Sequence, residues 1–374
     1  MSKYVLVPDS FKGTMTSREI CEIMQRAIEK IDNGASVVSI PVADGGEGTV
    51  DAFLSALGGR RKAVTVTGPR FEKLSCSYGM AANGTAIIEM SACAGLPLVY
   101  GKKNPEAATT YGVGEMICDA ARSGARRIVI GLGGSATNDG GCGAAAAAGV
   151  RFYDKAGKGF VPVGRTLKDI ASIDYSGIDA ALDGVSIAAM CDVDNPLLGE
   201  TGAANVFGPQ KGANAAMIAR LDAGLAHLAD ISGRAELAAM PSSGAAGGMG
   251  FGMMAFFNGT LQMGIDGLLD IINFESILNG ADLVLTGEGR IDPQSMRGKT
   301  VIGVARRAAK CGVPAIAVVG DIADGIESAY DLGITAIFSI NRVAMERRFI
   351  RLRAKTDMEA TVENIIRAVR TVKI

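Results

Sequence analysis

Four glycine-flanked loops group residues able to handle a phosphate, a metal ion or a proton. They read Asp9-Ser10-Phe11-Lys12-Gly13, Asp44-Gly45-Gly46-Glu47-Gly48-Thr49, Thr286-Gly287-Glu288-Gly289-Arg290-Ile291-Asp292 and Gly320-Asp321. Glycine lets backbone N–H groups approach an anion closely, and a helix N-terminus adds partial positive charge. Lys and Arg neutralise phosphate oxygens, while a carboxylate holds Mg2+ or takes a proton. Any one such loop is as readily an ordinary turn or helix cap. As a set they mean more, because the carboxyl ends of strands in a parallel α/β sheet share one edge.

A second group of loops lies further along the chain. Gly131-Leu132-Gly133-Gly134-Ser135-Ala136-Thr137-Asn138-Asp139-Gly140-Gly141 and Cys191-Asp192-Val193-Asp194-Asn195-Pro196-Leu197 each follow an apolar strand pattern. Gly208-Pro209-Gln210-Lys211-Gly212 and the glycine-rich 244–250 segment come later. A phosphate cradle is the physical reading of the first two, with tight turns as the plain alternative.

Two familiar motifs fail on inspection. Residues 131–136 fit G-x-G-x-x-G/A, with Asp154 about twenty residues on, as a dinucleotide fingerprint requires. The chain must still pass Asn138-Asp139-Gly140-Gly141 before a helix can start, so these glycines do not open one. Gly298-Lys299-Thr300 has the tail of a P-loop, but Pro293 stands where the leading glycine belongs. Lys299 then reads as an exposed helix-start lysine. His227 sits at helical spacing and reads as structural, and the methionines from 249 to 263 read as core.

Composition narrows the chemistry. With one histidine in 374 residues, catalysis by two imidazoles is excluded, and acid–base work falls to Asp, Glu or Lys. A formal net charge of −1 argues against electrostatic binding to nucleic acid or an anionic membrane. The seven cysteines are dispersed singly, as expected for reduced cytosolic thiols. No apolar run reaches about 18 residues, and Met1-Ser2-Lys3 leads straight into a strand pattern. Neither a membrane span nor a signal peptide is expected, which points to a cytoplasmic protein.

The elements that must position these loops follow from periodicity. Residues 4–8 and 36–42 read as strands, and 16–31 as a helix with Ile20, Ile23, Met24, Ala27, Ile28 and Ile31 on one face. A second helix ends near Gly58-Gly59. Residues 62–67, 74–79 and 85–90 read as an antiparallel patch, followed by a helix over 110–123 and a strand over 127–130. Between 151 and 280 the pattern gives one strand, at 185–190, and helices around 213–230. Strands return at 282–286, 315–319 and 335–339, with helices at 301–310 and 325–331. Similar textures at the two ends predict one discontinuous doubly wound α/β domain, 1–60 plus 282–374, with a second mixed α/β domain inserted at 61–281. Two sequential domains are the alternative.

With these loops in hand, the sequence resembles the bacterial glycerate kinase family of type 1, essentially end to end. The blocks that carry the resemblance are Pro8-Asp9-Ser10-Phe11-Lys12-Gly13, Pro41-Val42-Ala43-Asp44-Gly45-Gly46-Glu47-Gly48-Thr49, 131–141, 191–197, Phe207-Gly208-Pro209-Gln210-Lys211-Gly212, 244–250 and 286–292. The resemblance implies ATP-dependent phosphorylation of D-glycerate, mostly at the 2-hydroxyl, giving 2-phosphoglycerate. It also implies a flavodoxin-like domain made from both chain ends, an inserted α/β domain, and an active site in the cleft between them that closes on substrate.

Residue type and loop position then suggest roles. Asp192, Asp194 and Glu288 are candidate Mg2+ ligands. Asp192 is the favoured acceptor of the substrate hydroxyl proton, with Asp44 second. Lys12, Lys211 and Arg290 suit the transferred phosphoryl group and the glycerate carboxylate, with Asp9 and Ser10 beside the substrate. Gly133, Gly134, Ser135, Thr137 and Asp139 suit the nucleotide phosphates. The partner expected is the small molecule D-glycerate, with no nucleic acid and no membrane, and a homo-oligomer is left open. The rival classes are an NAD-linked oxidoreductase of a hydroxy acid and a non-catalytic sensor of a sugar acid or nucleotide.

Overall fold

Helix and strand alternate towards both ends of the chain, while the strands Gly59–Thr67, Lys73–Ala81 and Thr85–Glu89 follow one another directly. A computed structural model describes residues 1–42, 48–297 and 299–372. The chain divides into two compact units, one formed by 1–43 and 264–374 and the other by 44–263.

The first unit is built on a five-stranded sheet in the order Ile334–Ser339, Ala315–Val319, Leu283–Gly287, Lys3–Pro8, Ser36–Ser39. All pairs are parallel. In chain order this is the flavodoxin-like 2-1-3-4-5 arrangement, whose strand order reverses between Lys3–Pro8 and Leu283–Gly287. Tyr4 lies opposite Leu283 and Pro8 opposite Gly287. Both faces of the central strands are buried, so they read as unbroken apolar runs and not as alternation.

Helix Ser17–Ile31 starts at a capping box. The Glu19 N–H donates to Thr16 Oγ1 at 3.2 Å, and the Thr16 N–H donates to Glu19 Oε2 at 2.9 Å. Its buried face of Ile20, Met24, Ala27 and Ile28 packs with Met358, Val362, Ile365 and Ile366 of helix Arg347–Val372 and with Leu6, Leu285 and Val318 of the sheet. Each fully buried Ile, Leu, Met or Val among them contributes roughly 2 kcal/mol. The C-terminal helix was not legible in the sequence pattern; charged residues on several of its faces blur the apolar stripe. The second strand is also shorter than expected, ending at Ser39.

The second unit holds a six-stranded mixed sheet in the order Thr260–Met263, Ser186–Cys191, Arg127–Gly131, Thr85–Glu89, Lys73–Ala81, Gly59–Thr67. Its first four strands are mutually parallel, and the last three form the expected antiparallel patch. The reading of a single strand between 151 and 280 is corrected. Thr260–Met263 joins the large sheet, and Gly159–Phe160, Arg151–Tyr153 and Ser172–Asp174 form a small antiparallel one. Strands of two to four residues carry too few alternations to register as a period. Met249 and Met253 are core, and five of the seven free cysteines are buried. Among the described residues no helix is long and apolar enough to cross a membrane.

Candidate active site

In an open parallel sheet a ligand crevice forms where the strand order reverses, outside the carboxyl ends of the two strands concerned. Here those ends carry Asp9 and Glu288. The Asp9 N–H donates to Gly287 O at 2.8 Å, continuing the strand ladder. Its carboxylate accepts from the Ser10 N–H at 2.6 Å and from Thr300 Oγ1 at 3.4 Å. Thr300 begins helix Thr300–Lys310, and the preceding Lys299 is exposed, as expected.

Glu288 is buried, and its Oε1 has no hydrogen-bond partner. Burial pushes its carboxyl up to about 7, against the pull of Ser295 and Lys299, while Asp9 and Asp292 add to the rise. Two cations stand exposed near this edge. Lys12 tips a turn closed by the Phe11 N–H to Met15 O bond of 2.9 Å, with Phe11 and Met15 anchored in the core. Arg290 sits on the short strand Arg290–Ile291, paired with Asp321–Ile322. Gly289 lies against the 11–12 backbone, where a Cβ would sit 3.4 Å from Phe11 Cα, so Asp9, Ser10, Lys12, Glu288 and Arg290 form one neighbourhood.

The 44–263 unit gathers a second set. Strands Arg127–Gly131 and Ser186–Cys191 are parallel neighbours, with Met190 opposite Gly131. The 131–141 loop and the 192–194 segment therefore leave the same sheet edge. Asp192 and Asp194 are both exposed there. In the glycine-rich loop the tip at Gly133-Gly134 reaches solvent, while Ser135 to Asp139 turn into the interior. No helix follows until Cys142, as expected from the spacing.

Asp139 is fully buried. One of its oxygens accepts from the Thr110 N–H at 2.8 Å, Thr110 Oγ1 at 2.9 Å and the Gly143 N–H at 3.3 Å; the other accepts from the Gly141 N–H at 3.2 Å. Burial raises its carboxyl above the usual range, and these hydrogen bonds oppose the rise. Lys211, in the 3-10 turn Pro209–Lys211, is only 2% exposed. Its Nζ donates to Ser135 Oγ at 2.9 Å and to Thr137 O at 2.7 Å. Burial lowers its ammonium to about 7, with the nearby Asp139 charge pulling the other way. Asp44 lies outside the described residues. Asn138, which its residue type had not singled out, is wholly buried beside these groups, and its place between Thr137 and Asp139 was the only sequence signal. His227 Nε2–H donates a 2.7 Å hydrogen bond to Ile170 O, a structural role.

The edge bearing Asp9 and Glu288 supplies hard oxygen donors and exposed cations suited to a polyphosphate, and the 44–263 unit has exposed carboxylates at its own sheet edge. Among the described residues no three Asp, Glu, His or Cys side chains form a metal cage. A phosphate-borne Mg2+ needs only one or two carboxylates, and the partnerless Oε1 of Glu288 fits one such position.

Comparison with known proteins adds an independent finding. The model of the glycerate kinase family matches residues 4–370. The chain is 44% identical to the glycerate kinase of Bacillus subtilis (strain 168), across 99% of this chain and 98% of that one. It is 43% identical to the glycerate 2-kinase of Escherichia coli (strain K12), across 90% of each. A crystal structure from Salmonella typhimurium LT2, described as a putative glycerate kinase 2, superposes with a TM-score of 0.87 at 38% identity, covering 100% of this chain and 99% of that chain.

Proposed function

The chain belongs to the glycerate kinase family, and from that premise we propose that it transfers the γ-phosphoryl group of ATP to D-glycerate, giving 2-phospho-D-glycerate. The observation that carries this reading is the full-length family match joined to the carboxylate pair at the strand-order reversal. A glycerate hydroxyl oxygen attacks the γ-phosphorus and forms a new O–P bond as the bond to the β–γ bridging oxygen breaks. ADP leaves, and the hydroxyl proton passes to a carboxylate. Such a reaction asks the protein mainly for positioning and charge stabilisation.

Asp192, exposed at a sheet edge, is the proposed proton acceptor, with Asp44 second. Lys12 and Arg290 are long, exposed cations able to follow the moving phosphoryl group, with Asp9 and Ser10 beside them. The solvent-facing Gly133-Gly134 tip presents backbone N–H groups to nucleotide phosphates. Glu288, with its partnerless Oε1, would hold Mg2+, which offsets phosphate charge during transfer.

The test is phosphorus NMR of the protein with ATP, Mg2+ and D-glycerate, against a control without glycerate. A new phosphomonoester signal whose proton coupling marks a secondary carbon is expected. Coupling to a CH2 group would move the acceptor to the 3-hydroxyl. Unchanged ATP, or inorganic phosphate alone, would overturn the glycerate reading.

A further inference from the structure

Around Lys211 the 44–263 unit buries more polar capacity than it satisfies. Two N–H groups of the ammonium are used by Ser135 Oγ and Thr137 O, and Lys211 makes no ion pair among the described residues. Asp139 lies near in charge, but its hydrogen bonds go to Thr110, Gly141 and Gly143. In the segment whose Thr137 O accepts from the ammonium, Thr137 and Asn138 are at 0% exposure, and Thr137 Oγ1, Asn138 Oδ1 and Asn138 Nδ2 all lack a hydrogen-bond partner. Buried polar groups are nearly always paired, and a fold keeps unpaired ones only at a cost.

The backbone is bent to reach this spot. Ala246, Gly247 and Gly248 are left-handed in succession, at φ 55, 73 and 85. A Cβ on Gly247 would lie 2.1 Å from Thr137 O and 2.7 Å from Asn138 Cα, so only glycine lets the two segments meet. Strain of this kind persists where the surroundings impose it, commonly at ligand sites.

The unmet groups form a specific set: an ammonium without a counter-ion, an amide offering one donor end and one acceptor end, and a hydroxyl. A fully ionised phosphoryl group would use the donors and leave Asn138 Oδ1 unmet. A short carboxylate that also carries a hydroxyl outside the reacting position uses both ends, its anion taken by Lys211 and Asn138 Nδ2 and that O–H donated to Asn138 Oδ1, which leaves the reacting 2-hydroxyl proton for the catalytic carboxylate. We propose that Thr137, Asn138 and Lys211 form a subsite for the carboxylate and the non-reacting 3-hydroxyl of the acceptor, separate from the nucleotide contacts at the Gly133-Gly134 tip. The inference rests on the glycerate kinase reading and deepens it. Entry requires a bordering segment to yield, and the 246–248 turn, which lies against Thr137 O and Asn138 Cα, is such a border.

The test uses the full chain and the near-isosteric variants Thr137→Val and Asn138→Leu. For each, the melting temperature without ligand, calorimetric binding of D-glycerate, and KM for glycerate and for ATP are measured. At least a tenfold rise in glycerate KM is expected, with ATP KM within twofold and an unliganded melting temperature equal to or above the parent's. That pairing separates a ligand site from a structural cluster, whose disruption lowers the melting temperature. Variants that melt lower yet keep glycerate KM within twofold would overturn the proposal, as would a rise in ATP KM alone. If the parent protein fails to phosphorylate glycerate, the kinase reading falls by itself. Calorimetry then decides the subsite separately: glycerate binding by the parent that Asn138→Leu abolishes supports it, and no binding by the parent overturns it.

Discussion

Asp9 and Glu288 leave neighbouring parallel strands one residue past the paired Pro8 and Gly287, so two carboxylates stand together where the strand order reverses. Their mutual repulsion adds to the burial that keeps Glu288 hard to ionise, a burden a bound cation would relieve. For Glu288→Gln the Mg2+ concentration giving half-maximal rate should rise about tenfold, since one of only one or two protein ligands is weakened. The thermal shift produced by Mg2+ with ATP should shrink as well. An unchanged Mg2+ profile and thermal shift would remove Glu288 from the metal site.

Asp192→Asn should leave the fold intact, because the side chain is exposed. Loss of a general base should slow turnover by roughly a hundred- to ten-thousand-fold. Circular dichroism and steady-state rates check both halves. A near-normal rate would pass the role to Asp44.

Lys211 carries a pH signature. Its buried ammonium titrates at about 7, with Asp139 favouring the charged form and Ser135 and Thr137 accepting its hydrogen bonds. An anion needs that charge, so glycerate KM should climb above pH 7, approaching about tenfold per pH unit. At pH 8 glycerate binding should take up protons, visible as a dependence of the calorimetric heat on buffer ionisation enthalpy. For stability the sign is opposite. Between about 7 and the ordinary 10.5 the unfolded chain holds the proton more tightly, so unliganded stability rises with pH across that window. Lys211→Met should abolish all three trends; their survival would assign them to another group.

Asp139 holds four donors from Thr110, Gly141 and Gly143 in place at the start of helix Cys142–Ala147. Asp139→Ala strands those buried N–H and O–H groups and should cost about 3 kcal/mol or more. Urea denaturation reads the loss directly. An unshifted midpoint with a raised ATP KM would instead make Asp139 a nucleotide contact.

Two left-handed glycines should respond differently to a methyl group. Gly247→Ala meets Thr137 O at 2.1 Å and should cost about 3 kcal/mol or more. Gly134→Ala, at φ 72, meets only Ser91 Cβ at 3.5 Å and should cost about 1–2 kcal/mol. Equal melting temperatures for the two variants would contradict the packing described at Thr137.

The longer strands of both sheets, the capped helix Ser17–Ile31 and the loops bearing Asp9, Glu288 and Asp192 were all legible in the sequence. Their signals are local: apolar runs, three-to-four-residue periodicity, and a Thr three residues before a Glu. The short strands from Arg151 to Asp174 and the long helix Arg347–Val372 were not, because few alternations or scattered charge leave no clean period. Residue type also ranked Lys12 and Lys211 alike, as loop cations suited to an anion. Only the tertiary structure separates them, leaving Lys12 exposed and burying Lys211 against Ser135, which is 76 residues away in the chain. The same holds for Asn138, one polar residue among several in its loop until the fold surrounds its amide and gives it no partner. Local geometry is set by neighbours within a few residues, whereas burial and unmet hydrogen bonds are set by segments that meet only when the chain has folded.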